Sequence, residues 1–376
     1  MAARDRMRLL GGRAPAAFVA RHWHKEPLLV RAAVADLAPM LSRDALFDLA
    51  AREDVASRLV CRKGNRYSLA HGPFARSHLR KLPASNWTLL VQGVNLHDDG
   101  ADALLRRFAF IPYARLDDIM VSYAAPGGGV GPHVDSYDVF LLQTLGRRRW
   151  RYGRQDDFSL RPGLPLRILR RFTPEQDATL AESDMLYLPP QFAHDGTAID
   201  ACITYSIGFR APRNQELAES FVDHLRDTLD VPGRYADPDL RVSAAPARID
   251  PWLARRMGEA IEHVRWSGRD VRRFIGRFLT EPKPDVVFTP SRASRTAVRQ
   301  RIRRAGVRLD RRTQLLYDDA RYYLNGDDAP LPRTDRSLLR KLADRRSLSP
   351  AECAGLAPET LDLLCEWHRH GFLAPP

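Results

Sequence analysis

The sequence predicts an α+β protein, in which a β-barrel or jelly-roll segment is followed by helices and a small C-terminal module. Three observations predict this class. Short apolar runs between residues 117 and 209 are separated by Gly, Pro and Asp, as expected for short strands joined by turns. Residues 214–266 carry apolar side chains at helical spacing. Residues 281–376 hold several short helices around a strand-like run, the texture of a winged-helix-like module.

The individual elements follow from local patterns. Residues 14–50 combine helical stretches with one short apolar strand, and Ser42 is a good N-cap for the helix after it. Trp87 begins a strand-like run, and residues 281–285 form a predicted linker. Helices are predicted over Gln215–Leu229 and Pro251–Trp266. The strands predicted in the barrel segment are Ile119–Ala124, Val139–Thr144, Arg149–Tyr152, Met185–Leu188 and Ala201–Phe209.

Length and composition limit the classes of protein that need to be considered. A chain of 376 residues suggests two or three domains. No apolar stretch reaches the roughly 18 residues of a membrane-spanning helix, so no membrane association is expected. The four cysteines lack the short spacings of a metal site, and we expect reduced thiols in a cytoplasmic protein.

The net charge of +13 favours an anionic partner, such as nucleic acid or a nucleic-acid complex. Arginine far outnumbers lysine, which is equally consistent with an arginine-rich proteome. Arginines crowd residues 292–312, where they form either an RNA-contacting or substrate-docking surface or merely solvated helix faces. Charge alone leaves both interpretations open.

His133, Asp135 and His194 form the most informative set of polar residues. Two imidazoles and one carboxylate make a facial triad, which holds Fe(II) on one side and leaves positions open for a co-substrate and O₂. A Gly/Pro-rich stretch leads into His133, and Leu188–Pro190 precedes His194, so both histidines are expected at turns beside strands. A His-x-Asp pair also arises by chance, but this context favours a metal site.

An iron site of this kind needs a reductant that chelates the metal, most commonly 2-oxoglutarate. The far carboxylate of 2-oxoglutarate requires a cation inside the barrel, and the planar guanidinium of arginine suits that geometry. Three consecutive arginines follow the predicted strand Val139–Thr144, and we favour Arg148 among them. The alternative is that Arg147–Arg149 form a solvated charge run at a turn.

Alternation along two predicted strands indicates a polar interior, because side chains two positions apart share a face. The more polar faces would suit the inside of a barrel that binds a ligand, and an edge strand with a wet outer face is the alternative. The residues on these two faces are Asp118, Met120 and Ser122 on one strand, and Cys202, Thr204, Ser206 and Gly208 on the other.

Three segments of the chain closely resemble bacterial JmjC-type ribosomal oxygenases, a family of the cupin superfamily. They are Asp117–Trp150, Leu188–Gly196 and Tyr205–Pro212, and the runs Gly127–His133 and Tyr137–Phe140 are the most specific. The resemblance implies a double-stranded β-helix core (jelly-roll, JmjC/cupin) with an N-terminal helical elaboration in residues 1–212. It also implies a helical dimerisation region in residues 213–280 and a winged-helix domain in residues 281–376.

The resemblance implies an Fe(II)- and 2-oxoglutarate-dependent hydroxylase that uses O₂. Its expected substrate is an arginine, at the β-carbon, of large-subunit ribosomal protein number sixteen. By position, the iron ligands are His133, Asp135 and His194. Arg148 and Ser122 match residues around 2-oxoglutarate, and we place Thr204 there too, although some relatives are expected to carry an amide at that position. The residues implied for the substrate pocket are Asp118, Met120, Tyr137 and Ser206.

Alternatives to this function stay open at the level of sequence. An acid beside an aromatic ring, as in Asp118 and Tyr137, would hold a guanidinium, but this pair does not separate arginine from lysine. A histidyl hydroxylase or an N-methyl-lysine demethylase would use the same fold and iron site. A basic, nucleic-acid-binding regulator without enzymatic activity is the third interpretation. The remaining expected partners are a second copy of the chain and rRNA.

Overall fold

The computed structural model describes residues 7–35, 41–64, 66–242 and 244–374. Before the barrel proper, the chain forms short helices and strands, of which the helices and one strand within residues 14–50 and the strand at Trp87 were predicted. Ser42 caps the second helix by accepting a hydrogen bond from the Ala45 N–H. The elements of this part are α1 (Pro15–Arg21), β1 (Leu28–Val30), α2 (Arg43–Ala50), β2 (Ser57–Lys63), β3 (Arg66–His71), α3 (Arg76–Arg80), β4 (Trp87–Val91) and α4 (Asp99–Arg106).

Two antiparallel sheets form the jelly-roll core. The barrel strands are β5 (Leu116–Ala124), β6 (Val139–Leu145), β7 (Arg148–Arg154), β8 (Gln176–Leu180), β9 (Met185–Leu188), β10 (Phe192–Ala198) and β11 (Cys202–Phe209). The larger sheet has eight strands in the order β1-β9-β6-β11-β5-β4-β2-β3, and the smaller has the order β10-β7-β8. Apolar side chains from both sheets, among them Leu141, Trp150 and Leu186, pack into one cluster between them.

The two faces of the larger sheet differ as the alternation predicted. Ile119 and Ile207 belong to the main apolar core, which also contains Phe18 and Phe47 from the N-terminal helices. The opposite face carries the polar side chains of β5 and β11 into the space between the sheets. The edge-strand alternative is wrong, because β5 pairs with both β4 and β11, and β11 pairs with both β5 and β6.

The C-terminal part consists of three helices followed by a compact winged-helix domain with its own apolar core, which includes Ile302, Leu342 and Leu364. Its elements are α5 (Asn214–Thr228), α6 (Pro251–Ile261), α7 (Gly268–Thr280), α8 (Arg295–Ala305), β12 (Val307–Arg308), β13 (Leu315–Tyr317), β14 (Arg321–Leu324), β15 (Asp327–Pro330), α9 (Arg336–Arg345), β16 (Ser347–Leu348), α10 (Pro350–Ala354) and α11 (Pro358–Arg369).

Several elements differ from the sequence-based prediction. Helix α6 ends at Ile261 rather than Trp266, and a separate helix, α7, begins after Ser267. Ser267 and Asp270 form a reciprocal capping box, which starts a new helix at that point. The prediction also missed β2, β3, β8 and β10, whose charged or glycine-containing sequences lack clear alternation. Within the described ranges, no helix is long and apolar enough to cross a membrane.

Candidate metal and co-substrate site

The structure brings the three predicted metal ligands together at one end of the barrel. His133 and His194 face each other across an isolated antiparallel bridge, with backbone N–H to carbonyl distances of 3.0 and 2.9 Å. The ring centroids are 4.2 Å apart, and Nε2 of His194 lies 3.6 Å from Oδ2 of Asp135. One donor atom from each residue lies within 4.8 Å of the others. These distances allow all three side chains to coordinate one ion.

Backbone carbonyls orient both imidazoles. Nδ1 of His133 lies 2.9 Å from the carbonyl of Gly131, and Nδ1 of His194 lies 3.1 Å from the carbonyl of Phe192. When Nδ1 carries the proton and donates it to a carbonyl, Nε2 keeps a lone pair that is free to bind a metal. Burial, together with the field of His133, lowers the pKa of His194 to about 4, so this ring is neutral at physiological pH.

The placement of His194 corrects one expectation. His194 does not lie at a turn but inside β10, opposite Tyr152 of β7. Both faces of β10 are buried, so the alternation that would mark a strand is missing from its sequence. The glycine-rich approach to His133 has a direct cause: a Cβ on Gly129 would lie 2.4 Å from the carbonyl of Gly196 in β10. The glycines therefore let the two histidine-bearing segments approach each other.

Arg148 is the buried member of the arginine run. Only 4% of its surface is exposed, whereas Arg147 and Arg149 point outward and pair with Asp200 and Asp177. The Arg148 guanidinium donates to Ser122 Oγ at 3.1 Å and to Thr204 Oγ1 at 3.4 Å. The solvated-run alternative therefore does not apply to Arg148.

The guanidinium of Arg148 is buried without a countercharge. Among the described residues no carboxylate pairs with it, and its Nε has no hydrogen-bond partner. Burial lowers the pKa of Arg148, since the charged form has lost most of its hydration. A buried charge without a partner is costly, and a carboxylate ligand would remove that cost. The indole N–H of Trp150, whose ring lies 4.9 Å from the guanidinium carbon, is also buried, with no hydrogen-bond partner in the described ranges.

The residues implied for the substrate pocket lie in the same cavity of about 350 Å³. Asp118 is 4% exposed, and its Oδ2 accepts a hydrogen bond from Gln92 Nε2 at 2.7 Å. Burial raises the pKa of the Asp118 carboxyl, and the nearby Lys283 ammonium opposes that rise. All ten candidate residues line this cavity: Asp118, Met120, Ser122, His133, Asp135, Tyr137, Arg148, His194, Thr204 and Ser206.

Sequence reasoning missed several residues around this cavity. Gln92, which directly follows β4, contacts Asp118. Arg58 lies in β2, and its Nη2 is 3.8 Å from the sulfur of Met120. Gln143 of β6 accepts from Thr204 Oγ1 at 2.9 Å, so an amide does stand beside Thr204 although residue 204 itself is not one. None of these positions carries a local motif, because each is defined by strand pairing across the sheet.

Comparisons with known proteins agree with this architecture. The JmjC domain family matches residues 103–217, and the ROXA-like winged helix matches residues 263–374. The ribosomal protein uL16 3-hydroxylase of Escherichia coli (strain K12) is 35% identical over 277 residues, which cover 73% of this chain and 73% of that protein. A probable ribosomal oxygenase of Haemophilus influenzae is 29% identical over 385 residues, or 95% of each chain.

Solved structures give the same result at the level of the fold. The X-ray structure of E. coli ycfD matches with a TM-score of 0.83 and 32% identity, covering 96% of this chain and 97% of that chain. The structure of YcfD, a ribosomal oxygenase from E. coli, in complex with cobalt and 2-oxoglutarate matches with a TM-score of 0.80, 31% identity and the same coverage. With this identity and coverage, the chain belongs to the bacterial JmjC-type ribosomal oxygenases, which are Fe(II)- and 2-oxoglutarate-dependent enzymes.

Proposed function

We propose that this oxygenase hydroxylates ribosomal protein uL16 at the β-carbon of an arginine side chain. The observation that carries the proposal is one cavity that joins a metal triad, a buried acid and a buried arginine that forms no ion pair with any described residue. The similarity to the E. coli uL16 3-hydroxylase supports the choice of substrate protein. Each part of the cavity then has a distinct task.

His133, Asp135 and His194 would hold the ferrous ion. Two imidazoles and one carboxylate with donor atoms within 4.8 Å of one another are the donor set that suits Fe(II) with open positions. When bound, the iron together with 2-oxoglutarate and O₂ supplies the oxidising power that inserts one oxygen atom into a C–H bond. The carbonyls of Gly131 and Phe192 keep the imidazole lone pairs directed at the metal position.

Arg148 would bind the far carboxylate of 2-oxoglutarate, with help from Ser122 and Thr204. The two hydroxyls already contact the guanidinium and hold it in place. Gly196 is required beside it, because a Cβ there would lie 2.8 Å from Arg148 Nε and 2.6 Å from the Trp150 ring. Arg148 thus sits preorganised for an anion, with no internal acid to be displaced among the described residues.

Asp118, Met120, Tyr137 and Ser206 would receive the substrate side chain. Asp118 is buried, whereas Tyr137 is 38% exposed and lies toward the mouth of the cavity. A Cβ on Gly208 would lie 3.6 Å from Asp118 Oδ1 and 3.8 Å from Tyr137 Cε2, so glycine leaves the space between acid and ring open. A flat guanidinium bound there would pair with the carboxylate and contact the aromatic ring.

The alternatives differ in the charge of the side chain that enters. A buried carboxylate favours a cation, so it argues against a histidyl hydroxylase acting on a neutral imidazole. It does not separate arginine from methylated lysine. The experiment therefore has to identify the modified residue as well as the modified protein.

Intact-mass measurement of uL16 tests the proposal. Purified enzyme with Fe(II), 2-oxoglutarate and O₂ is expected to add one oxygen atom to uL16, and fragmentation is expected to place it on an arginine. The His133→Ala variant serves as the control and should leave uL16 unmodified. An unmodified uL16 with the wild-type enzyme, or an oxygen on histidine or a demethylated lysine, contradicts the assignment.

We also propose that two copies of the chain form a homodimer through the helices of residues 213–280. Along the chain, this segment lies between a catalytic unit at 1–212 and a winged-helix unit at 281–376. Large apolar side chains are exposed on this helical segment, which supports a covered surface: Val222, Met257, Ile261 and Trp266. Light scattering should give twice the chain mass.

We further propose that the arginines of α8 contact rRNA and that the protein is cytoplasmic. Salt-dependent binding of an rRNA fragment tests the rRNA contact.

A further inference from the structure

A lysine from the linker before the winged-helix domain reaches the acid of the proposed substrate pocket. Lys283 Nζ lies 3.4 Å from Asp118 Oδ2 and 2.9 Å from Asp117 Oδ1. Lys283 stands between Pro282 and Pro284, which restrict the backbone on both sides of it. The ammonium is therefore presented to the acid pair by a stiff segment.

The two oxygens of Asp118 have different surroundings. Oδ2 receives both Gln92 Nε2, at 2.7 Å, and the Lys283 ammonium. Oδ1 accepts no hydrogen bond from any described residue and lies beside Gly208, which lines the cavity with Tyr137. Lys283 does not line that cavity. The lysine thus contacts Oδ2 from outside the set of residues that line the cavity, and it leaves Oδ1 open.

We propose that Lys283 is a positioning residue for the substrate: it holds Oδ2 of Asp118 and leaves Oδ1 to receive the incoming cationic side chain. This inference rests on the proposed function, since it assumes that Asp118 binds the substrate. It assigns to the linker of the winged-helix domain a part in the binding of substrate. The lysine acts through Asp118 and does not touch the reacting carbon.

The charges around Asp118 explain why a fixed ammonium is needed. Burial raises the pKa of this carboxyl and Asp117 raises it further, while Lys283 lowers it. Burial alone would lower the pKa of the Lys283 ammonium. The negative charges of Asp118 and Asp117 outweigh this effect, so the pKa is raised. Among the described residues, other charged or titratable groups near this pair include Tyr137 and Arg210, and Arg58 lines the same cavity. Without Lys283, a larger fraction of Asp118 would be protonated and unable to pair with a cation.

Contacts between α7 and the winged-helix domain fix the position of the linker. Arg273 pairs with Asp328 of β15, and Arg277 Nε donates to the Gly326 carbonyl at 2.8 Å. On the other side, Arg210 Nη1 donates to the Leu279 carbonyl at 2.9 Å, and its Nε lies 3.6 Å from Asp117. The winged-helix domain therefore supports the substrate pocket mechanically through residues 279–283.

Steady-state kinetics with uL16 as substrate test this role. Lys283→Met should raise KM for uL16 about tenfold at neutral pH, the scale of one charge-assisted hydrogen bond. Its kcat should fall by less than about threefold, because the interaction is made equally in the bound and reacting states. The rise in KM should be larger at mildly acidic pH, since Asp118 then takes up a proton at higher pH than in the wild type. Lys283→Arg should restore most of the loss.

Lys341 provides a matched control in the winged-helix domain. Its side chain is 37% exposed, like that of Lys283, and it forms one ion pair with Glu352. Lys341→Met should leave KM and the pH profile as in the wild type. Lys283→Gln is measured in parallel, with the same expectation as Lys283→Met, so that a folding defect in one variant does not decide the result.

The outcomes separate this inference from the proposed function. A wild-type enzyme that leaves uL16 unmodified contradicts the proposed function and this inference together. A modified uL16 with unchanged KM in Lys283→Met and Lys283→Gln overturns this inference alone. A lower KM also overturns it, because it would show Lys283 competing with the substrate for Asp118. If Lys283→Arg has a KM for uL16 as high as that of Lys283→Met, the inference is also overturned, because the positive charge of Lys283 would then not matter.

Discussion

Two buried arginines, one in the barrel and one in the winged-helix domain, differ in how their buried positive charge is stabilised. Arg148 is 4% exposed and Arg346 is 7% exposed, and neither pairs with a carboxylate among the described residues. Arg346 donates to the carbonyls of Asp310 and Thr313 at 2.7 and 3.0 Å. Arg148 contacts two hydroxyls and one carbonyl, and its Nε has no hydrogen-bond partner within the residues that the structure describes.

The difference separates a structural charge from one that is ready for a ligand. Burial, followed by the field of Arg106, lowers the pKa of Arg346 to about 9, yet its hydrogen bonds tie two chain segments together, residue 346 and the loop at 310–313. Arg148 differs because its Nε finds no hydrogen-bond partner in the described part of the chain, and because it lines the cavity that also holds the metal triad. We therefore expect substitutions in the barrel to affect activity and substitutions in the winged-helix domain to affect stability.

The largest effect is expected at the metal triad. His133→Ala should reduce 2-oxoglutarate turnover by more than about 100-fold, because changes to groups that merely orient metal ligands already cost 10- to 100-fold. Succinate formation measures this. His368, a mostly buried histidine of the winged-helix domain that contacts Ser291, is the matched control. His368→Ala should lower the melting temperature and keep turnover; equal turnover losses in both variants would contradict the comparison.

Substitution of Arg148 should separate co-substrate binding from stability. Arg148→Met should raise KM for 2-oxoglutarate about 100-fold, as expected when one partner of a buried charge pair is removed. Without 2-oxoglutarate, its free energy of unfolding should change by less than about 1 kcal/mol, since the hydrogen bonds lost to Ser122, Thr204 and Gly196 are offset by removal of a buried charge whose Nε has no partner among the described residues. Urea unfolding with and without 2-oxoglutarate measures both. A large loss of stability in the free enzyme would show that Arg148 is structural.

Arg346→Met should show the opposite pattern. Its loss leaves the buried carbonyls of Asp310 and Thr313 without donors, and we expect the free energy of unfolding to fall by about 3 kcal/mol. KM for 2-oxoglutarate should stay within twofold of the wild type for the folded fraction. The same urea titration and kinetic assay serve here. A changed KM would mean that the winged-helix domain reaches the co-substrate site.

The smallest effect is expected one residue away from Arg148. Arg149 lies on the outer side of β7 and pairs with Asp177 in solvent. Arg149→Met should leave both the melting temperature and KM for 2-oxoglutarate unchanged, because exposed ion pairs contribute little. This variant also controls for loss of one positive charge in the Arg148→Met experiment. A raised KM here would move the anion site to the outer face.

The sequence could predict the barrel class and the polar faces of β5 and β11 because strand alternation is a local property. Asp118, Met120 and Ser122 fall on one face by spacing alone, and the structure places them in one cavity with Thr204 and Ser206. The choice of Arg148 over Arg147 and Arg149 was supported by its match to the residue that binds 2-oxoglutarate in the JmjC-type ribosomal oxygenases.

Other features could not be predicted because they depend on contacts between distant segments. Lys283 meets Asp118 only after the linker folds back on the barrel, and Gln92 reaches the same acid from β4's end. Gly196 looks like an ordinary strand glycine until Arg148 and Trp150 are seen to occupy the space a side chain would need. Charged strands such as β2 and β3 lack the apolar alternation on which prediction relies.

A crystal structure of this chain with cobalt and 2-oxoglutarate tests the central claim most directly. We expect the metal on His133, Asp135 and His194, and the far carboxylate of 2-oxoglutarate on the Arg148 guanidinium. A metal bound without one of the three side chains, or a carboxylate held by Arg58 or Arg167 elsewhere in the cavity, would contradict it.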